Sequence, residues 1–575
     1  MNIINMLLRS KKRSVIHLVN AFFIAICFPS IILGESQVVT PVDTQENNSE
    51  LTQTSHKLLP EVGVRVIIPE KKKVSDRLEK ALLRRAFSFD SNTNFSRAFS
   101  LDTFNPSSFS VAEAADEVEL IEIIRPQGIH LVNQTPFNRD ARLTHKVPQF
   151  EATFHNGQGA SILAAIFDGG AVRNTHQEFR VDMLSPDGNS ASPIYRVDKR
   201  TSSPYSNHAT HVAGTMAAQG VRDAARGMAR KLRLLSFDWK DDLVNLEAVA
   251  DHITVSNHSY GPFTGWSHNE ELGGWIWWGN ISHSDKEDST FGKYTSDNAM
   301  LDNILYTHPE LLTVVAAGND RIDAPISQPE RHYFIDGINP LTGQANWKIS
   351  SDIRNADGFD QGGLDTISGL GVSKNVLCVG AINDQFRNGV QISETIKSTS
   401  FSNWGPTDDG RIKPDVVANG DTLLSLSSED DDVYTEISGT SMASPTAAGI
   451  AALLAEFFIT KQGRAPTSAE LKGIIIHGAV DGGIPGPDPI FGWGAINALA
   501  SGRIIAGNQG EIILSDTVEV GAVKEYSFAG TPKDVRVTLT WTDLPGCQVL
   551  KYVDTKIVTT SHQFSQNKSL QAFHS

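Results

Sequence analysis

The sequence predicts an α/β fold, a mostly parallel sheet with helices on both faces, followed by a small C-terminal β unit. Short apolar runs recur between residues 140 and 503, and stretches with a helical pattern separate them. A parallel strand covered on both faces reads as a continuous apolar run, so this alternation is typical of such a sheet. The clearest runs are 162–167, 232–237, 312–317 and 376–379.

A change of period predicts the β unit. After about residue 504 the apolar residues alternate with polar ones, most clearly at Val535, Val537, Leu539 and Trp541. A period of two places apolar side chains on one face of a strand. We therefore predict a partial β-sandwich-like domain and a polar tail over residues 504–575.

The composition limits the class of function. The 575 residues include 50 Lys and Arg against 66 Asp and Glu, which gives a formal net charge of −16. Nucleic-acid binding needs a clustered basic face, so we expect no nucleic-acid partner. The 40% hydrophobic content is ordinary for a globular protein, and three cysteines are too few for a disulfide framework.

The first 36 residues predict a signal peptide. Four basic residues between Arg9 and Arg13 precede an apolar run from Leu18 to Leu33, the order found in secretory signals. The run is shorter than the roughly 20 residues of a spanning helix, although an uncleaved anchor is the alternative. We expect a secreted or cell-envelope protein that meets a membrane only transiently, through this segment. Residues 37–139 predict a linker and a small unit, with a strand at 62–69 and a helix behind Ser75.

Two segments in the first half of the main domain carry chemically useful residues. The run 162–167 ends at Asp168, and an acid at the carboxyl end of a buried strand points into the crevice where α/β sheets bind ligands. An ordinary turn aspartate is the alternative. His208 and His211 lie three apart on a predicted helix of small residues. A zinc site of the H-E-x-x-H type needs four-residue spacing and a glutamate where Ala209 stands, so the pattern disfavours a metal.

Two segments in the second half add an amide and a hydroxyl. The strand 312–317 closes on Gly318 and Asn319, whose amide either donates into the crevice or makes a turn. Gly439 and Thr440 precede Ser441, which opens a small-residue run to Ala455. This run predicts a buried helix with the Ser441 hydroxyl at its amino end, where free N–H groups favour an anion. A simple buried helix cap is the alternative.

The order Asp, His, Asn, Ser on four segments of one α/β domain resembles the subtilisin-like serine proteases over about residues 150–500. The matching blocks are 166–170 (IFDGG), 208–215 (HATHVAGT), 401–406 (FSNWGP), 411–416 (RIKPDV), 439–445 (GTSMASP) and 492–498 (GWGAINA). The resemblance implies an endopeptidase that forms an acyl-enzyme intermediate, with Asp168, His208 and Ser441 as catalytic residues and Asn319 in the oxyanion hole. It also implies substrate binding by Ser259, Tyr260, Gly261, Ala316, Ala317 and Gly318.

The resemblance implies further properties. Substrates would be polypeptides, residues 37–139 would include an inhibitory prosegment, and the β unit would be the start of a jelly-roll-like domain. No cofactor would be needed for the chemistry, and structural calcium is expected only because many relatives bind it. The sequence departs from the family pattern at Ala209, where glycine is usual, and at Gly169, where threonine or serine is common. Inserts near 262–295 and 321–365 predict an enlarged crevice rim.

Two other classes of protein remain as alternatives. A subtilase-like scaffold without catalysis could bind peptides or surfaces through its tryptophan-rich insert, but all four chemical residues are present. A serine esterase of the α/β-hydrolase kind needs G-x-S-x-G and a histidine after the serine. Here Ala443 replaces the second glycine and the histidine comes first.

Overall fold

The computed structural model describes residues 138–154, 158–181, 194–269, 274–279, 287–324, 331–338, 345–351, 357, 362–387, 389–507, 512–517, 523–529 and 535–546, with three strands nearer the amino terminus. The strands are β1 (Ile4–Leu8), β2 (Phe22–Cys27), β3 (Glu61–Ile67), β4 (Leu163–Asp168), β5 (Arg180–Val181), β6 (Ile194–Tyr195), β7 (Val197–Lys199), β8 (Arg233–Asp238), β9 (Val255–His258), β10 (Trp266–Asn269), β11 (Gly274–Trp277), β12 (Leu312–Ala316), β13 (His332–Ile338), β14 (Ala345–Ser350), β15 (Leu377–Ile382), β16 (Phe386–Arg387), β17 (Val390–Gln391), β18 (Val416–Asn419), β19 (Leu423–Leu426), β20 (Tyr434–Ile437), β21 (Ile512–Asp516), β22 (Val523–Ala529) and β23 (Val535–Trp541). The helices are α1 (Asn138–Thr144), α2 (Val147–Phe154), α3 (Asn207–Ala217), α4 (Asp242–Val249), α5 (Ser296–Thr307), α6 (Thr440–Gln462), α7 (Ser468–Gly478) and α8 (Ala498–Ala506).

A seven-stranded sheet forms the centre, in the order β18-β15-β12-β9-β4-β8-β7. Every neighbouring pair in it is parallel. The four apolar runs of the sequence correspond to β4, β8, β12 and β15. The predicted α/β class with a mostly parallel sheet is therefore confirmed.

Helices cover both faces of this sheet. On one face, α3 and α6 contribute Met216 and Ala443 to a large apolar core. On the other face, α4 and α5 bury Leu246 and Leu305 against Phe167. Because helices cover both faces of the sheet, the residues of its central strands are almost all buried.

Helix α6 is the predicted buried helix. It is the one helix in the described part of the chain that is long and apolar enough to cross a membrane, yet 94% of its apolar window is buried inside the protein. Its alanine-rich sequence allows close approach of neighbours: a Cβ on Gly449 would lie 2.7 Å from the Cβ of Met228. The small side chains therefore let α6 run through the core.

An ion cluster joins α7 to the edge of the sheet. Asp415 Oδ2 lies 2.6 Å from Lys413 Nζ, and its Oδ1 lies 2.8 Å from Lys472 Nζ on α7. Burial opposes the charge of Asp415, but the two lysines outweigh it and hold the pKa of Asp415 below its usual value. The residues Lys413 to Asp415 of the 411–416 block are thus part of the scaffold.

The two predicted inserts, of which the first is rich in tryptophan, combine into a second sheet, in the order β10-β11-β13-β14. Trp266, Trp277 and Phe334 form its apolar centre. Outside this centre, the rings of Phe263 and Trp278 stack 5.0 Å apart. Both inserts therefore contribute to one folded element.

The C-terminal strands pack onto the main domain. Strand β23 covers the predicted alternating segment, and its Thr538 Oγ1 lies 2.7 Å from His477 Nδ1 of α7. It pairs with β1 and β2, which fall within the predicted signal segment, and β22 pairs with β3. The jelly-roll character stays a prediction, and the helix predicted behind Ser75 lies outside the described residues.

The secondary structure extends slightly beyond the predicted domain limits of 140 and 503. Helix α1 begins at Asn138, and α8 continues to Ala506. Helix α8 packs against α2 and α6, so a boundary at 503 would cut a helix that belongs to the main domain.

Candidate active site

Asp168 and His208 meet at the carboxyl end of the central sheet. Asp168 is the last residue of β4, and His208 lies in the first turn of α3. His208 Nδ1 is 2.8 Å from Asp168 Oδ1 and 2.9 Å from Oδ2. Only 1% of the Asp168 side chain is exposed, against 22% for His208. A buried carboxylate at this distance accepts the Nδ1 proton, which leaves Nε2 as the basic nitrogen.

Ser206 determines where the histidine helix begins. Its backbone is extended, and its Oγ accepts the N–H of Ala209 at 3.2 Å. An N-terminal cap of this kind satisfies one of the amides that have no partner within the helix. The cap places His208 directly beside the end of β4.

Ser441 is the second residue of α6 and is buried. Its Oγ donates to the carbonyl of Ser259 at 3.1 Å, and the Ser259 hydroxyl donates back to the Ser441 carbonyl at 2.9 Å. Pro445 explains the second bond. Proline has no N–H, so the carbonyl four residues earlier, that of Ser441, lacks its helical donor. Ser259 supplies it.

The Asn319 side chain is oriented by the residue before the serine. Its Oδ1 accepts the Thr440 backbone N–H at 2.8 Å and the Thr440 hydroxyl at 3.0 Å. Because the oxygen is used in this way, the amide nitrogen is the end of Asn319 that can donate elsewhere. Asn319 and Ser441 therefore lie beside the same helix terminus.

Asn403 supports the loop that carries Asn319. Its backbone N–H donates to the Gly318 carbonyl at 2.9 Å, and its Nδ2 donates to Asp320 Oδ2 at 3.0 Å. Gly318 has φ of +106°, and a Cβ there would lie 2.3 Å from Asn403 Nδ2, so only glycine fits. The pKa of Asp320 is raised to about 6, because the effect of burial outweighs that of the hydrogen bonds from Asn403 and from backbone amides, which lower it.

Comparison with known proteins identifies the family. Residues 159–494 match the model of the Subtilase family, which is more than half of the chain. The chain belongs to the subtilase family. This confirms the predicted family and its serine-peptidase class.

Individual relatives match shorter stretches. Serine protease AprX of Bacillus subtilis (strain 168) is 37% identical over 145 residues, which cover 23% of this chain and 31% of AprX. Serine protease/ABC transporter B family protein tagD of Dictyostelium discoideum is 24% identical over 329 residues, 47% of this chain and 17% of tagD. The chain thus spans less than a third of the length of these two relatives. The solved CspB protease of Clostridium perfringens is 16% identical, with a TM-score of 0.43, and the match covers 64% of this chain and 100% of that one.

The two departures from the subtilase pattern have structural counterparts. The Ala209 methyl is fully buried in the apolar core, so it adds to the packing of α3. At Gly169 the space of a side chain is already filled: a Cβ would lie 2.5 Å from Cη2 of Trp239. The backbone N–H of Trp239 also donates to the Asp168 carbonyl at 3.0 Å. The indole thus occupies the space that a side chain at position 169 would need.

The predicted substrate-binding residues lie at the carboxyl ends of two neighbouring strands of this subtilase. Ser259, Tyr260 and Gly261 follow β9. Ala316 ends β12, which pairs with β9, and Ala317 and Gly318 come directly after it. The Ser259 and Ala317 side chains are buried, and the Tyr260 hydroxyl donates to Asp242. Their role in binding stays a prediction.

His211 is a core residue. Its Nε2 lies 2.9 Å from the Leu423 carbonyl, and burial lowers its pKa to about 3. Among the described residues, no group of three or more His, Cys, Asp or Glu side chains is arranged to hold a metal ion. Structural calcium stays a prediction.

Three residues of the site escaped the sequence analysis. Thr440 and Asn403 lie inside the blocks 439–445 and 401–406. These blocks indicated the family but not the role of either residue. Trp239 follows β8, and only the parallel pairing of β8 with β4 brings it beside Gly169. A lone tryptophan after a strand gives no sequence signal for this contact.

We expect Gly169→Ser to destabilise the protein by about 1–3 kcal/mol, because the added atoms overpack the site against Trp239. Trp239→Ala should relieve this clash, so the double variant should lose less than the sum of the two single losses. Denaturant unfolding of all three variants in a Ser441→Ala background, which prevents self-digestion, measures the coupling. Strictly additive losses would contradict the contact.

Ser259→Ala should cost about 1–3 kcal/mol, because it leaves the buried Ser441 carbonyl without a donor. Adding Pro445→Ala restores a backbone N–H four residues after Ser441 and should recover part of this loss. Pro466→Ala, outside the helix, is the matched control and should recover none. The measurement is again the free energy of unfolding, and equal behaviour of the two proline variants would refute the explanation.

Proposed function

We propose that this subtilase is an exported serine endopeptidase in which Asp168, His208 and Ser441 are the catalytic residues. The observation that carries the proposal is the buried Asp168 carboxylate 2.8 Å from His208 Nδ1. It supports an imidazole whose basic nitrogen is Nε2, on a helix that packs against α6, of which Ser441 is the second residue. Structural histidines in cores do not require this ionic partner, as His211 illustrates.

Attack on a peptide bond begins at the Ser441 hydroxyl. The hydroxyl leaves the Ser259 carbonyl, its resting acceptor, and turns toward His208, since catalytic hydrogen bonds often form fully only with substrate bound. His208 Nε2 takes the proton as Ser441 Oγ bonds to the carbonyl carbon. Asp168 stabilises the imidazolium that results.

The reaction then proceeds through an acyl-enzyme. The imidazolium returns its proton to the peptide nitrogen, the C–N bond breaks, and the amine product departs. Water, deprotonated by His208, attacks the ester carbonyl. The C–O bond to Ser441 then breaks, the imidazolium returns the proton to Ser441 Oγ, and the acid departs. Both steps place negative charge on the former carbonyl oxygen. The Asn319 amide nitrogen and the Ser441 N–H are the donors that we assign to this oxygen.

The natural substrates would be polypeptides. We propose that they lie extended between the segment after β9 and the end of β12, with Ala316 and Gly318 beside the side chain that precedes the cut. The small residues there leave room for that side chain. We also propose that residues 1–36 direct export and that a prosegment within 37–139 keeps the precursor inactive.

Replacement of Ser441 with alanine should abolish hydrolysis of a denatured protein, because it removes the nucleophile that we assign to the reaction. Asn319→Leu should lower kcat by about 10²- to 10³-fold with little change in KM, a magnitude that derives from subtilisin itself, because it removes a donor used mainly in the transition state. Circular dichroism should show both variants folded. Retained turnover in purified Ser441→Ala, free of other proteases, would refute the assignment.

The prosegment proposal predicts where the secreted protein begins. N-terminal sequencing of the processed wild type should find a start between about residues 110 and 140. Ser441→Ala should retain the longer chain if the enzyme removes its own prosegment. A mature start at Gln37 would dismiss the prosegment.

A further inference from the structure

A cavity of about 990 Å³ lies at the amino ends of two central strands. Leu163, the first residue of β4, and Arg233, the first residue of β8, line it. Asp168 is at the opposite end of β4, roughly 17 Å away at about 3.3 Å per residue. The cavity is therefore separate from the proposed peptidase site.

The cavity is basic in an acidic protein. Five cationic side chains line it against one acidic side chain, that of Asp198. Arg200 pairs with Asp198 at 2.5 Å, and the Arg196 guanidinium donates to the carbonyls of Leu232, Glu178 and Ala217. Within the part of the chain that the structure describes, Arg230, Lys231 and Arg233 form no ion pair. Three cations thus remain for an acidic ligand.

Apolar residues complete the lining. Leu163, Val181, Val221 and Leu235 contribute to the same cavity. A free inorganic anion would leave these surfaces in water, whereas a peptide with alternating acidic and apolar side chains would use both kinds of surface. The chemistry favours an acidic, apolar peptide.

We propose that this cavity binds residues 111–124 of the same chain. This segment, VAEAADEVELIEII, has five acidic residues, no lysine or arginine, and apolar residues between the acids. The acidic residues are Glu113, Asp116, Glu117, Glu119 and Glu122. The complementary charge and the shared apolar character support this segment as the occupant.

The chain can reach the cavity. Asn138 Nδ2 donates to the Ala225 carbonyl at 3.3 Å, and Arg139 Nη1 lies 3.6 Å from Asp223. Asp223 and Ala225 belong to the loop between Val221 and Arg230, two residues that line the cavity. Residues 125–137, which join the proposed segment to Asn138, can span about 40 Å when extended.

Zero-length cross-linking tests the contact directly. A water-soluble carbodiimide joins a lysine amine to a carboxylate only where the two touch. In full-length Ser441→Ala protein we expect mass spectrometry to find Lys231 linked to an acid of residues 113–122. Lys231→Arg keeps the charge and should lose the link.

Hydrogen exchange provides a second readout in the same background. We expect amides in 111–124 to exchange at least tenfold faster in Arg233→Glu, and in 1 M salt, where the Debye length falls to about 3 Å. Lys397→Glu, a charge reversal at an exposed lysine that does not line the cavity, is the matched control and should not change the exchange.

Three results would overturn the proposal. Unchanged exchange in Arg233→Glu would exclude the charged contact. Links from Lys231 only to carboxylates outside 111–124 would assign the cavity to another occupant. Links between differently isotope-labelled copies would assign it to a second molecule. None of these readouts uses peptidase activity, so they fail or succeed independently of the proposed reaction.

Discussion

The site depends on a helix that starts beside the carboxyl end of a central strand and is buried from Thr440 to Phe458. Helix α6 can be buried because its side chains are small, and burial places the Ser441 amide and hydroxyl at one position relative to β9. Pro445 then leaves a carbonyl without a partner within the helix. Ser259 satisfies that carbonyl, and the same residue holds the nucleophile at rest. Because Pro445 lacks an N–H, Ser441 is hydrogen-bonded to the segment after β9, beside which we place the substrate.

The surroundings of Asn319 follow the same principle. A buried polar group must be hydrogen-bonded, and each polar atom of this loop is used to orient the next. Thr440 engages the Asn319 oxygen, Asn403 engages Gly318 and Asp320, and the glycine is required by both φ and space. The amide nitrogen left over is the donor that we assign to the oxyanion. Its direction is thus a consequence of satisfied neighbours.

The two ends of the central strands have opposite electrostatic character. At the carboxyl end, carboxylates and amides surround the proposed peptidase site. At the amino end, five cationic side chains line a partly apolar cavity. In a chain with a net charge of −16, local concentration of positive charge is informative because the global balance opposes it. The proposed binding of residues 111–124 would connect the segment before the domain to the end of the sheet away from catalysis.

The sequence by itself determined the fold class, the main strands, the buried helix and the order of the chemical residues. Hydrophobic period and short motifs are local properties, so they can be read without knowing the fold. Tertiary structure alone decided that Trp239 fills the space at Gly169, that Ser259 pairs with Ser441, and that basic residues from separate segments share one cavity. Strand order and register bring these residues together. No local pattern records which distant side chain will occupy the space that a glycine or a proline leaves.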